Sequence, residues 1–223
     1  MTVDPRDIRH VVILGHPAAQ SFNASVAAAY CEAVEDCGQT AVLRDLYAIG
    51  FDPVLRDAER PGTAGFAPAP DVAAELALIR DSSVIVLVYP IWFGMPPAII
   101  KGYIDRVLGA GLPARDIKTG AGHGPLEGKR LVILSSSAST MPWLEEHGQW
   151  ASMRQAFDTY LTTIFAMVDS SHVHFDAIVD GRDERFMREN LERVREQARQ
   201  TCSVTLSERH AARIRALRLG AVG

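Results

Sequence analysis

Cysteine is scarce in this chain: Cys31, Cys37 and Cys202 are the only three among 223 residues, with no CxxC pair and no histidine at ligand spacing. That pattern excludes a disulfide framework and a zinc ribbon, and core packing is the expected role for all three. No apolar run approaches the ~20 residues that cross a bilayer, and Met1–Arg9 alternates acids and bases with no long apolar stretch behind it. Membrane insertion is therefore not expected, and a cytoplasmic location is. An excess of positive charge is also missing. With 23 Lys plus Arg against 27 Asp plus Glu, the net charge of −4 argues against general nucleic-acid binding. The GxGxxG turn of a dinucleotide fold and the GxxxxGK[ST] phosphate loop are both absent.

What is present is organised around Ser83–Arg106, S-V-I-V-L-V-Y-P-I-W-F-G-M-P-P-A-I-I-K-G-Y-I-D-R. Val84–Tyr89 is an unbroken, β-branched apolar run, which reads as a central strand of a parallel sheet buried on both faces. Pro90 cannot donate to the ladder, so the strand is expected to end there. Gly94 and Pro96-Pro97 then hold a tight loop before a helix carrying Ile99, Ile100, Tyr103, Ile104 and Val107 at three- and four-residue spacing. Lys101 is an exposed position on that helix.

The same grammar recurs along the chain. His10–Leu14 is a first strand, closed by Gly15, and Ser21 is placed to cap a helix running through Val34. Gln39–Leu46 is a second strand. Residues 47–70 are turn-rich, an expected surface excursion, and Asp71 is expected to cap a helix through Arg80. A second excursion, Gly109–Gly128, precedes a fourth strand at Lys129–Ser135 and a polar loop, Ser135–Thr140. Gln149–Met167 has helical periodicity, His172–Phe175 is a fifth strand holding His172 and His174, and Asp183 to about Thr201 is a charged amphipathic helix.

Strands alternating with helices give a doubly wound α/β sheet, flavodoxin-like in order 2-1-3-4-5, with helices on both faces. Residues 1–203 form one domain, followed by a basic helical tail at 204–223. Residues 182–223 hold ten arginines against six acids, which is expected to make a structural face rather than a nucleic-acid site.

In such a sheet the ligand crevice lies outside the carboxyl ends of the strands, where the loops after strands one, three and four meet. These are His16–Asn23, Pro90–Gly94 and Ser135–Thr140. A phospho-acceptor domain would have acids at the end of strand one and a cysteine-dependent phosphatase a cysteine; Gly15-His16 stand there instead. A flavin is the best remaining occupant. Its phosphate would take the helix N-terminus at Ser21–Asn23 and its ring the Pro90–Gly94 loop, covered by Trp92 or Phe93.

At these residues the chain resembles the flavodoxin-like NAD(P)H:quinone oxidoreductases, which include the ancillary oxidoreductases of bacterial potassium efflux systems. The resemblance rests on G-H-P-x-x-x-S-F-N at Gly15–Asn23, D-L-Y-A-I-G-F-D-P at Asp45–Pro53 and P-I-W-F-G-M-P-P-A-I-I-K-G-Y-I-D-R-V at Pro90–Val107. It implies a homodimer with the site at the subunit interface, holding FAD or alternatively FMN. It further implies reduction by NAD(P)H and transfer of two electrons to a quinone or similar planar acceptor, in a ping-pong scheme. By resemblance, His16, Ser21, Phe22 and Asn23 form the flavin phosphate loop, and Pro90, Ile91, Trp92, Phe93 and Gly94 the ring loop.

The family's T-T-G-G loop is replaced here by Ser135-Ser136-Ser137-Ala138, of which Ser136, Ser137 and Ala138 are assigned to the cofactor. The tyrosine and histidine that the family places over the ring are reduced to His147 alone, the candidate proton donor. The second excursion offers Pro113 and Arg115 where acceptor-pocket aromatics often stand. The competing expectation is a regulatory flavoprotein that binds a membrane transporter and turns over little.

Overall fold

The computed structural model describes residues 3–60, 62–63, 65–112, 124–179, 181 and 183–220. Pro61 and the stretch 113–123, with Pro113 and Arg115, lie outside the described residues. Five strands, β1 (Arg9–Leu14), β2 (Thr40–Asp45), β3 (Val84–Pro90), β4 (Arg130–Ser136) and β5 (Asp169–Phe175), form one parallel sheet in the order β2-β1-β3-β4-β5. The unbroken apolar runs are explained by the two-residue period of a strand. Val11, Ile13, Ile85, Leu87, Leu131 and Ile133 feed one core, while Val12, Leu14, Val86, Val88, Val132 and Leu134 feed the other.

Each core is closed by helices. On one face lie α1 (Phe22–Asp36) and α7 (Glu184–Gly220), which supply Val26, Tyr30 and Val34 from the first and Val194, Ala198 and Cys202 from the second. On the other lie α2 (Pro70–Arg80) and α3 (Ala98–Tyr103), the latter passing into a π-helical turn at Ile104–Leu108. This face is completed by a helical run after α4 (Met141–Glu146): α5 (Gln149–Met153), a π-helical turn (Arg154–Thr159) and α6 (Tyr160–Ile164).

Three local expectations change. Pro90 stays in β3, paired with Ser136, because as the last residue its missing donor costs no ladder bond; the next donor, Ile91 N–H, reaches Ser136 O at 2.6 Å. Asp71 is not a cap. Pro70 already occupies the first turn, the cap position is Ala69 without a side-chain bond, and the Asp71 carboxylate is drawn to Arg106. Gln149–Met167 is interrupted by the π turn and ends at Ile164. Met141–Glu146, between the polar loop and Gln149, is also helical. The tail is helical as expected, and α7 runs through residue 203 to Gly220.

The first excursion is turn-rich as expected, but it is tied down. Arg106, only 4% exposed, donates to both Glu59 oxygens at 2.8 and 3.0 Å, to Asp71 at 2.7 Å and to the Asp52 carbonyl, and its guanidinium lies over Phe51. A buried cation needs such a complement of acceptors, because each unpaired charge in the interior costs several kcal/mol.

Candidate active site

Three loops meet at the carboxyl end of the sheet because β1, β3 and β4 are adjacent and parallel. The crevice between them has a volume of about 560 Å³, within the usual ~300–1,000 Å³ of small-molecule sites. His16, Ser21, Phe22, Asn23, Pro90, Ile91, Trp92, Ser136, Ser137 and Ala138 all line it. Phe93, Gly94 and His147 do not.

The β1 loop is built to receive an anion. Ser21 caps α1, its Oγ accepting from Ala24 N–H at 3.1 Å, and Ser25 N–H returns to Ser21 O. Caps of this kind orient the remaining first-turn N–H groups, and the macrodipole adds about half a positive charge at the same end. His16 Nδ1 lies 3.0 Å from Ala18 N, whose N–H it accepts, and 3.3 Å from Ala18 O; with the first bond made, Nε2 carries the hydrogen of the neutral ring. Asn23 is 3% exposed. Its Oδ1 accepts from Ser136 Oγ at 3.0 Å, and its Nδ2 is buried without a partner. An orphaned amide donor of this kind is rare in native proteins and costs about 1–3 kcal/mol unless something accepts from it.

The β3 loop is a tight turn. Trp92 N–H donates to Met95 O at 3.0 Å and Met95 N–H to Trp92 O at 3.1 Å, with Phe93 and Gly94 at φ of 51° and 82°. Two central residues at positive φ are the mark of a type I′ turn. Phe93 is thereby carried to the tip, fully exposed and away from the crevice, whereas Trp92 lines it and packs 5.7 Å from the His16 ring. The N–H groups of Ile91 and Trp92 are used inside the protein, on Ser136 O and Met95 O. His147 sits past the end of α4, stacked on Trp143 at 4.3 Å, its Nδ1 donating to Trp143 O. It is not among the residues that line the crevice.

One stretch of the lining was not expected. Ile178, Val179 and Gly181, after β5, and Met187, in the first turn of α7, also line the crevice. Only their position after a fifth strand's carboxyl end could have indicated them. What lies beneath the β4 loop was not expected either. His172 and His174 are in β5 as expected, but His172 Nδ1 meets the buried Asp158 at 2.7 Å and its Nε2 meets Ser135 Oγ at 2.6 Å. Ser135 Oγ also meets His174 Nδ1 at 2.8 Å, and His174 Nε2 meets Ser137 Oγ at 3.0 Å. Burial, with the neighbouring His172 adding to it, pushes the His174 imidazole down to about 4.

Residues 9–201 match the family described as Flavodoxin-like fold. The chain belongs to this family. Among flavodoxin-like relatives, it is 28% identical over 174 residues to an uncharacterized NAD(P)H oxidoreductase of Haemophilus influenzae, covering 78% of this chain and 84% of that one. It is 31% identical over 143 residues to NAD(P)H dehydrogenase [quinone] 1 of Rattus norvegicus; that match takes 56% of this chain and only about half, 52%, of the rat protein. Among solved flavodoxin-like structures, the NAD(P)H:quinone oxidoreductase of Methanothermobacter marburgensis superposes with a TM-score of 0.73 at 23% identity, over 87% of this chain and 96% of the other. An FMN-dependent NADH-azoreductase of Bacillus anthracis, in complex with FMN, superposes at 0.63 and 15% identity over 87% and 99%. At these identities the superpositions speak to the fold.

Proposed function

We propose that this protein is a flavin-dependent NAD(P)H oxidoreductase that passes two electrons to a quinone or a similar planar acceptor. The observation that carries the proposal is the unpartnered, buried Asn23 Nδ2 beside the capped N-terminus of α1 and the Nε2–H of His16, a set of donors that suits a phosphate ester. The relatives' names, NAD(P)H oxidoreductase and NAD(P)H dehydrogenase [quinone], support the reaction class. A flavin held here would supply the hydride chemistry. Of the two flavins, FMN is favoured over FAD because it is the one named for the azoreductase neighbour and needs no surface beyond the crevice described.

The residues divide the work. Ser21, Asn23 and His16 hold the phosphate end, while Pro90, Ile91 and Trp92 line the ring side and Ser136–Ala138 close the floor. NAD(P)H and acceptor would use the same side of the ring in turn, in a ping-pong scheme. We place the second subunit of a homodimer over the apolar hollow next to the β3 turn, where Met95, Leu112, Phe157, Tyr160 and Phe165 surround about 470 Å³ and Tyr160 is 56% exposed.

The test is an absorbance spectrum of the protein loaded with FMN or FAD, repeated after anaerobic NADPH or NADH. Bound flavin bands that bleach support the reading. A protein that retains neither flavin refutes it, and sedimentation as a monomer refutes the dimer.

A further inference from the structure

Behind Ser137 of the crevice floor runs a file of four side chains that nothing in the site as described uses. Asp158, on the π turn before α6, is 1% exposed, and its Oδ1 has no partner. Its Oδ2 meets His172 Nδ1, and from there each contact is a hydrogen bond of 2.6–3.0 Å: His172 Nε2 to Ser135 Oγ, Ser135 Oγ to His174 Nδ1, His174 Nε2 to Ser137 Oγ. The far end, Ser137, lines the crevice. An Asp–His–Ser set invites comparison with a nucleophilic triad, but Ser135 is fully buried and carries a second histidine on its other side, so no substrate can reach it.

Resting on the oxidoreductase reading above, we infer that this file is a one-proton store and relay, loaded at Asp158 and discharged at Ser137 Oγ, that supplies the proton consumed when the acceptor is reduced. The chemistry of the groups allows two arrays on one set of heavy-atom positions. With Asp158 ionised it can only accept, so His172 Nδ1 carries hydrogen, Ser135 Oγ–H points at His172 Nε2, His174 Nδ1–H points at Ser135, and Ser137 Oγ–H points at His174 Nε2. With Asp158 protonated every hydrogen is reversed, and Ser137 Oγ–H is released from His174; its alternative acceptor, Ser139 O, lies at 2.9 Å.

Discharge moves one hydrogen across each contact. Ser137 gives its proton to the reduced acceptor, His174 Nε2–H replaces it, Ser135 reprotonates His174 Nδ1, His172 Nε2–H passes to Ser135, and Asp158 Oδ2–H passes to His172 Nδ1. One proton leaves the protein, and Asp158 ends as a carboxylate. Burial favours the neutral form of the His174 ring, which both arrays require of it. The surroundings bear on both ends: Arg154 Nε lies 3.4 Å from Asp158 Oδ2, the Tyr89 hydroxyl is buried nearby without a partner, and His174 is faced by His172, Asp176, Arg193 of α7 and the Trp150 ring of α5. The four groups behind Ser137 are positioning residues that act through its hydroxyl.

The decisive variant is Ser135→Ala, which breaks the file at its centre with the loss of one oxygen. In the FMN-loaded protein, stopped-flow should show flavin bleaching by NADPH at the wild-type rate, reoxidation by a quinone slowed at least about tenfold with a changed solvent deuterium isotope effect, and recovery with Ser135→Thr. In the flavin-free protein, histidine ¹⁵N spectra should show Asp158→Asn altering the His174 tautomer when Ser135 is present and not in Ser135→Ala. Reoxidation at the wild-type rate in Ser135→Ala, or equal slowing of both half-reactions, overturns the relay while leaving the oxidoreductase reading intact. A wild-type protein that binds flavin but is not bleached by NADPH overturns that reading, and the proton's destination with it.

Discussion

At the scale of single residues, Asn23 is the point where folding and binding are in conflict. Its Oδ1 is committed to Ser136 Oγ, and that bond fixes which end of the amide faces the crevice. A side chain held this way has lost its rotational freedom before any ligand arrives, so the ordering cost is already met in the fold. Asn23→Asp separates the two roles. The acceptor for Ser136 survives, the carboxylate sits favourably at the start of a helix, and the free donor is replaced by a negative oxygen facing an anion. Flavin affinity should fall at least about tenfold, or ~1.4 kcal/mol, with little change in thermal stability; fluorescence titration with FMN beside a melting curve checks both. At Gly94 only the fold is at stake. At φ of +82° a new Cβ would lie 2.6 Å from Gln149 Nε2, whose bond to Gly94 O holds the β3 turn against α5. Gly94→Ala should cost about 1–3 kcal/mol through backbone strain and lost turn geometry, measured by urea unfolding.

At the scale of elements, the first excursion is anchored by Phe51, which packs on Tyr103, and by one buried cation. Arg106 gathers Glu59, Asp71 and the Asp52 carbonyl, so a segment of little regular structure is fixed to α2 and α3. Arg106→Met keeps much of the volume but leaves Glu59, 6% exposed, without its partner, and should cost about 3–5 kcal/mol. Spacing along the chain made the helix under Arg106 legible, while the identity of its partners was not, because 35 and 47 residues separate them from it. The same limit explains Asp71: a residue type suited to capping stood at a helix start, and a buried guanidinium 35 residues away competed for it more strongly. The π turns at Ile104–Leu108 and Arg154–Thr159 were illegible for another reason, since one extra residue in a turn leaves the apolar spacing within the tolerance of a helix pattern. In α7 the apolar face fades outward. Val194, Ala198 and Cys202 are buried at four-residue spacing, and residues 211–218 are all exposed. We propose that residues 211–218, unlike the buried Thr205 earlier in the tail, contribute little to the body's stability, so truncation after His210 should change the unfolding free energy by less than about 0.5 kcal/mol.

At the scale of the whole molecule, the sheet order was readable because strands buried on both faces are written as continuous apolar runs, and the β1, β3 and β4 loops were readable because parallel strands share one carboxyl end. The polar interior beneath that end was not, since alternation assigns His172 and His174 to a strand without saying what faces them. Yet these buried bases govern how the molecule responds to acid. His10 is buried between Tyr30 OH at 3.1 Å and Gln39 Oε1 at 2.9 Å, and burial pushes its imidazole down to about 4, as it does for His174. A base whose folded value lies below its ordinary ~6.5 stays neutral in the fold, while the unfolded chain takes up a proton below that pH. Stability is therefore full above about 6.5, falls as pH drops toward 4, and levels once the folded rings titrate. Two such groups give a limiting slope of about 2.7 kcal/mol per pH unit. Glu59 and Asp71 act in a separate window. The Arg106 guanidinium holds both carboxyls below their usual range, so their contribution is complete above about 4 and is lost as pH falls further through the lowered values. Urea unfolding from pH 8 to pH 3 should show both losses in that order. His174→Gln should halve the slope of the first without moving the second, and Arg106→Met should flatten only the second; a stability that stays flat from pH 7 to pH 4.5 would show that the buried imidazoles are charged in the fold.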